Sequence, residues 1–309
     1  MGKRHFVHYI SLFFAMTFWG ASFVLTKHLL IDFNPIFIIF TRLLISSIIF
    51  VITSLILYKK RFFIEKKYII LFISLSFFEP LVYFLFETYS LQLIDPSIVS
   101  VIIATIPLFM AIFAYYFLKE YLTRKNMIGV VLSVLGIVIM LFPEFYGSTI
   151  NFLGVGLAFG AVLSTIGYNY FLNKIPHHYN PILLITWQNL IGLIAFTPIL
   201  FVMNSTSEIS TQMGALSDVK NLVFLILLAV FCSSIAFVLY IRGVRAIGTA
   251  RSNIFTNLIP VITATISFFL FDETVTWNKV LGIITVISGI FLVQMKKTRD
   301  KGLETKDKL

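Results

Sequence analysis

The segment 97-SIVSVIIATIPLFMAIFAYYFLKEYLTRKNMIGVVLSVLGIVIM-140 aligns without a gap on 250-ARSNIFTNLIPVITATISFFLFDETVTWNKVLGIITVISGIFLV-293. A constant shift of 153 residues pairs Pro107 with Pro260, Glu120 with Glu273, Thr123 with Thr276, Gly129 with Gly282 and Gly136 with Gly289. Prolines, glycines and lone acids set turns, close approaches and helix ends. Their coincidence in one frame therefore marks a repeated architecture and not merely a shared composition. A weaker frame, shifted by 146, pairs Asn34-Pro35 with Asn180-Pro181 and sets Gln188 opposite Arg42. The longer connection around 204–220 accounts for the difference between the frames. The chain reads as two copies of one unit, 1–148 and 149–295, followed by a polar tail at 296–309.

Composition says what solvent the unit is built for. Of 309 residues, 59% are hydrophobic and 12% charged, whereas soluble domains carry about 25% charged residues. No single globular core buries that much apolar sequence, so the expectation is an all-α polytopic membrane protein. A bilayer core takes about 20 apolar residues per helix. Ten such runs are present, near 8–30, 35–58, 68–93, 96–118, 126–143, 151–173, 181–203, 221–244, 249–271 and 277–295. Between them lies loop chemistry such as 59-KKRFFIEKK-67, Asp95-Pro96 and 204-NSTSEISTQMGALSD-218. Pro35, Pro96 and Pro181 each fall at an expected helix start, where a missing N–H costs nothing. The run after Lys3-Arg4-His5 is too long for a signal peptide and has nine more behind it, so it is expected to stay as an uncleaved first helix.

Five spans per copy is an odd number, so the second copy enters the membrane from the opposite side. The expected arrangement is ten transmembrane helices as two inverted five-helix repeats. Basic residues set the orientation, because they stay on the cytoplasmic side. All but four of the 24 lysines and arginines lie on the side shared by the termini and the loops after spans 2, 4, 6 and 8. The exceptions are Lys27, Lys220, Lys279 and Arg42, the last inside a span. Both termini are therefore expected in the cytoplasm of a cell with this chain in its cytoplasmic membrane. The net charge of +10 is a topology signal, with the lipid bilayer as partner and no nucleic acid invoked.

Inverted repeats are the usual frame of alternating-access carriers, with a site near the midplane between the halves. No G-x-x-x-x-G-K-[ST] run is present to hold ATP. There is no H-E-x-x-H or paired Asp/His set in the spans for an embedded enzyme, and no charge ring or filter for a channel. Cys232 is alone and the five histidines sit at or near span ends, so no metal, haem or other cofactor is implied. These features favour a non-enzymatic secondary carrier of a small-molecule substrate.

The pattern 18-FWGASFVLTK-27, the arginine in 40-FTR-42 and the set Pro107, Glu120, Gly129 repeated as Pro260, Glu273, Gly282 resemble the drug/metabolite transporter superfamily. More closely, residues from about 8 to 295 are similar to an EamA-type permease with two EamA repeats. The resemblance implies a central cavity between the halves and export of amino acids or other small metabolites. Gln188 stands where a second arginine would complete the symmetry, so the role of Arg42 is not expected to be duplicated.

The candidate site residues are those that sit awkwardly in hydrocarbon. In 74-SLSFFEPLVYFLFETYSLQL-93, Glu79 and Glu87 each carry an insertion penalty of roughly 2.5–3.5 kcal/mol. At 1.5 Å per residue, Arg42 lies roughly 10 Å and Glu87 roughly 12 Å below the same face. The two either form a buried pair or leave Arg42 to bind an anionic substrate group. Glu79 falls near the midplane with no basic residue at its level. It either lines the cavity, taking a substrate amine or a coupling proton, or stays protonated against a neighbouring helix. The spacing 79, 83, 87 puts Tyr83 on the same helix face, and Pro80 predicts a bend beside it. Asn253 and Asn257, Gln188 beside Trp187 and Asn189, and the aromatic residues Trp19, Tyr168 and Tyr240 are further candidates for cavity lining; the alternatives are interhelical hydrogen bonding for the asparagines, backbone satisfaction for Gln188, and lipid-facing or core packing for the aromatics. The glycine pairs Gly129/Gly136, Gly282/Gly289 and Gly156/Gly160 read as helix contacts. Glu120 and Glu273 read as helix-end caps or gate ion pairs.

Overall fold

The computed structural model of the chain describes residues 3–58, 62–117, 124–147, 151–248, 252–271 and 276–294. Helices make up nearly all of these residues, and no strand occurs among them. Helix α1 runs Lys3–Leu29 and α2 Pro35–Tyr58. A third rod is assembled from a 3-10 turn Lys66–Tyr68, α3 Ile69–Ser76, a π segment Phe77–Val82 and α4 Tyr83–Leu93. Then follow α5 Pro96–Ala104, α6 Ile106–Phe117 and α7 Arg124–Gly147. The second copy has α8 Phe152–Lys174, α9 Pro181–Met203, the short α10 Thr206–Ala215 and α11 Val219–Leu227. A second π segment Leu228–Ile235 leads into α12 Ala236–Ile247. A 3-10 turn Asn253–Asn257, α13 Leu258–Phe271 and α14 Trp277–Gln294 complete it.

Among the described residues, six stretches are long and apolar enough to cross a membrane: 7–29, 35–58, 66–93, 152–174, 181–203 and 219–247. Shorter apolar helical stretches at 96–110, 127–139, 255–270 and 277–292 fall where the other four spans are expected. Pro35, Pro96 and Pro181 each occupy the first position of their helix, as anticipated. Asn34 and Asn180 precede two of them and cap the new helix, accepting from the amides of Phe37 at 2.9 Å and Ile182 at 3.0 Å.

The repeat extends into irregularities that hydropathy does not reveal. The shift of 153 carries 77–82 onto 230–235, inside the second π segment. It also carries Ala104 and Thr105, where α5 gives way to α6, onto Asn257 and Leu258, where the 3-10 turn gives way to α13. Pro107 and Pro260 stand shortly after these junctions and supply no N–H to the preceding turn. The expected single helix over 96–118 is thus two, joined at Thr105, whose hydroxyl donates to Ile102 O at 2.5 Å.

Equivalent spans of the two copies meet. Helix α2 packs against α9, α5 against α13 and α7 against α14, while α1 lies on α12 as α4 lies on α8. Without a hydrophobic drive between helices in lipid, small residues and hydrogen bonds make these seams. A Cβ on Gly136 would stand 2.7 Å from Val286 N, and one on Gly289 2.6 Å from Gly129 O, so the α7 and α14 backbones touch. Between α2 and α9, Ser54 and Thr186 hydroxyls lie 2.6 Å apart, and Asn189 Nδ2 donates to Ser46 Oγ at 2.6 Å. Ser46 also bonds Ser234 of the second π segment. Gly160 does make a close approach, against the Phe86 ring, but nothing lies within 4 Å of a Cβ on Gly156. The reading of Gly156 as a contact glycine is corrected: it faces open space.

A second correction concerns 204–218, expected as loop. Residues 206–215 form α10, started by a capping box in which Glu208 N donates to Ser205 Oγ while Ser205 N donates to Glu208 Oε2. The S-x-x-E spacing was the available signal. This helix ties down one end of the molecule through Asn34 N donating to Gln212 Oε1 at 2.9 Å. Asn221 Nδ2 donating to Asp32 and Lys279 bridging to Asp95 at 3.2 Å add to that end. At the other end, Trp187 Nε1 donates to Phe62 O at 2.7 Å and Arg245 Nη1 to Tyr179 O at 2.6 Å. Glu65 there pairs with Lys67 at 3.0 Å and His178 at 3.2 Å. Glu120, Glu273 and the tail 296–309 lie outside the described residues.

Candidate functional site

The third rod is broken at Glu79. Its φ of −146° and ψ of 117° are extended, not helical, and the Glu79–Pro80 peptide is cis. A residue before proline is pushed towards extended backbone by the proline ring. Neighbouring helices are shaped to accept the break. A Cβ on Gly192 of α9 would lie 2.4 Å from Pro80 Cγ, and one on Gly167 of α8 would lie 2.4 Å from the Phe78 ring. Ser164 Oγ donates to the Phe78 carbonyl at 2.6 Å. Irregular backbone at membrane depth is tolerated where protein buries it or it lines a cavity, and Glu79 meets both conditions.

Around the break lies a cavity of about 50 Å³. At 10–15 Å³ per water, that is room for about three to five waters. Its charged and hydroxylated walls come from Arg42, Glu79, Tyr83, Glu87, Tyr168 and Tyr240. Trp19, Phe84 and Phe237 supply aromatic surface, and Ser22, Thr165, Asn169 and Thr256 supply small polar groups. The indole of Trp19 packs on Phe237 and Tyr240 with ring centroids 5.0 and 5.1 Å away. Tyr240 OH donates to Asn169 Oδ1 at 3.2 Å.

Arg42 is 2% exposed and held from three directions. Its Nε donates to Ser233 Oγ at 2.7 Å, and its guanidinium carbon sits 3.8 Å from the Phe84 ring centroid. Its Nη1 lies 3.8 Å from Glu87 Oε2, inside ion-pair range but beyond a hydrogen bond. Both of those atoms are buried without a hydrogen-bond partner. Glu79, 5% exposed, makes no hydrogen bond or ion pair among the described residues. Buried polar atoms in this condition call for an occupant such as water or ligand. Three ionisable side chains thus surround one small space and share a single protein hydrogen bond, from Arg42 to Ser233.

Seven of the sequence candidates come together here: Trp19, Arg42, Glu79, Tyr83, Glu87, Tyr168 and Tyr240. Helix periodicity across 79–87 does not assemble the acidic face, since Glu79 is outside the helix; the break turns its side chain into the same space. Gln188 does not line the cavity. It is buried in α9 at 1% exposure, while its neighbour Trp187 donates to Phe62 O in the connection after α2 and Asn189 donates to Ser46 of α2. Asn257 is also absent from the lining, its place taken by Thr256 and Ile259. The Asn253 side chain lies outside the described residues. Sequence reasoning passed over Ser22, Thr165 and Asn169; the stripe 165, 168, 169 along α8 was the signal that could have found the latter two.

The family profile described as "EamA-like transporter family" matches residues 7–142 and 152–295, one match for each repeat. An uncharacterized transporter of Archaeoglobus fulgidus is 27% identical over 289 residues, covering 94% of this chain and 99% of the relative. The uncharacterized transporter YetK of Bacillus subtilis is 26% identical over 305 residues, covering 96% and 89%. A protein of Salmonella typhimurium named "Probable amino-acid metabolite efflux pump" is 25% identical over 187 residues, 59% of this chain and 62% of its own. One solved crystal structure superposes with a TM-score of 0.60 over 92% of this chain and 94% of its own at 15% identity, a likeness of fold alone.

Proposed function

The chain belongs to the EamA-like transporter family, and from that premise we propose that it is a secondary active exporter of small metabolites such as amino acids. It spans the cytoplasmic membrane ten times as two inverted five-helix repeats, with both termini in the cytoplasm, and works by alternating access. The observation that carries this reading is the unpartnered Glu79 carboxyl, set at a helix break inside a cavity beside Arg42 and Glu87. Discontinuous helices near the midplane are where carriers bind substrate and coupling ions. A carboxyl there takes a proton or a substrate ammonium, one excluding the other, and that exclusion couples their movements. Arg42 and Glu87 offer an unmatched donor and acceptor to the polar remainder of the substrate. The aromatic residues Trp19, Tyr168, Phe237 and Tyr240 wall in its apolar part. The amino-acid class is supported by the Salmonella relative's name and by the zwitterionic character of the site.

Counterflow tests it. Proteoliposomes preloaded with unlabelled amino acids or related metabolites, one at a time, are diluted into trace labelled compound. A carrier accumulates label transiently against its gradient; a channel or an inert membrane protein gives simple equilibration or nothing, and either result contradicts the proposal.

A further inference from the structure

A second pocket of about 170 Å³ lies on the side that carries most of the basic residues. It is lined by Leu172, Asn173, Ile241, Val244, Arg245 and their neighbours at the ends of α8 and α12. Two helical stripes connect it to the central cavity. On α8 the central cavity takes Thr165, Tyr168 and Asn169, and the pocket takes Leu172 and Asn173. On α12 the cavity takes Phe237 and Tyr240, and the pocket takes Ile241, Val244 and Arg245. Both sets follow i, i+3, i+4, i+7, i+8, so each is one continuous helix face. The Tyr240–Asn169 hydrogen bond of 3.2 Å stands where the cavity's share of the two stripes ends.

Arg245 gives this passage its charge. Nη1 is anchored on Tyr179 O at 2.6 Å, which fixes the guanidinium, while Nη2 is buried with no acceptor. A buried guanidinium N–H without a partner is costly and is supplied by an arriving anionic oxygen. We propose that the α8–α12 seam is the entry vestibule from the basic side, that Arg245 receives the carboxylate of the incoming substrate, and that the Tyr240–Asn169 bond is the gate into the central site. This rests on the carrier reading above and adds a route and a first binding step.

Thiol labelling tests it without a known substrate. In a Cys232→Ser background, Asn173→Cys is treated with sulfonatoethyl and trimethylammonioethyl methanethiosulfonate. Each rate is normalised to that reagent's rate with a small free thiol. The expected anion-to-cation ratio is about five. It falls to about one in Arg245→Gln and is kept in Arg245→Lys, which retains charge if the Gln variant folds poorly. A ratio near one with Arg245 intact, or one unchanged by Arg245→Gln, overturns the anion step. For the route, Thr165→Cys is expected to react from the basic side, about threefold faster when Tyr240→Phe removes the gate bond. Reaction only from the opposite side, or no effect of Tyr240→Phe, overturns the gate. If labelling behaves as expected while no metabolite shows counterflow, the vestibule stands and the carrier reading fails. If counterflow is seen with the contrary labelling, the reverse holds.

Discussion

Arg42 and Glu87 are opposite charges, both buried, yet Nη1 and Oε2 stop 3.8 Å apart. Removing one partner of a buried pair strands the other, a cost of about 3–5 kcal/mol in soluble proteins. Arg42→Gln is therefore expected to lower stability in detergent by about 3 kcal/mol. The double variant Arg42→Gln with Glu87→Gln should recover more than half of that. Unfolding titrations on wild type, the two single variants and the double variant check it; a double variant no more stable than Arg42→Gln alone shows that Arg42 is held by Ser233 and Phe84 instead. The charged members of the site were legible because an ion in an apolar run stands out against everything near it. Amides did not sort so cleanly. Gln188 looked as conspicuous as Glu79, but an amide buried between helices and an amide facing a cavity give the same sequence signal. Asn169 in α8 lines the cavity and drew no notice for the same reason.

Between elements, glycines make room for the break in the third rod. Gly192→Ala places a methyl 2.4 Å from Pro80 Cγ and Gly167→Ala places one 2.4 Å from the Phe78 ring. Each is expected to cost about 1–3 kcal/mol as overpacking. Gly156→Ala, with nothing within 4 Å, should be neutral or stabilising by up to about 1 kcal/mol through helix propensity. Thermal unfolding of the three variants checks the ranking, and equal effects at 156 and 192 would contradict the packing described. The helices themselves were readable from hydropathy, prolines and the repeat frame. Their interruptions were not, apart from the bend suggested by Pro80. The second π segment at 228–235 contains no proline; its Ser233 and Ser234 hydroxyls donate to carbonyls five residues back, Leu228 and Ala229, and no period in the sequence announces that pattern. Only the ungapped frame from a broken span to its partner would have pointed to it.

At the scale of the molecule, the repeat organises everything else: equivalent elements pair, and the break in one copy has a counterpart in the other. The distribution of lysine and arginine adds a direction. A C-terminal green fluorescent protein fusion is expected to fluoresce, and an alkaline phosphatase fusion at the same place to be inactive; the opposite pair of results would invert the orientation and place the α8–α12 vestibule on the outside. The apolar helices and the two-fold repeat were in the sequence because they are set by coarse features, apolar length and repeated punctuation. The cavity was not, since it depends on which side chains a broken helix turns inward. The central claim is that Glu79 couples substrate to protons. Proteoliposomes containing wild type or Glu79→Gln, loaded with a metabolite that shows counterflow, are given an imposed pH gradient with the membrane potential clamped. Gradient-driven flux is expected in wild type and none in Glu79→Gln. Equal pH-driven flux in both proteins would contradict it and leave Glu79 a structural residue.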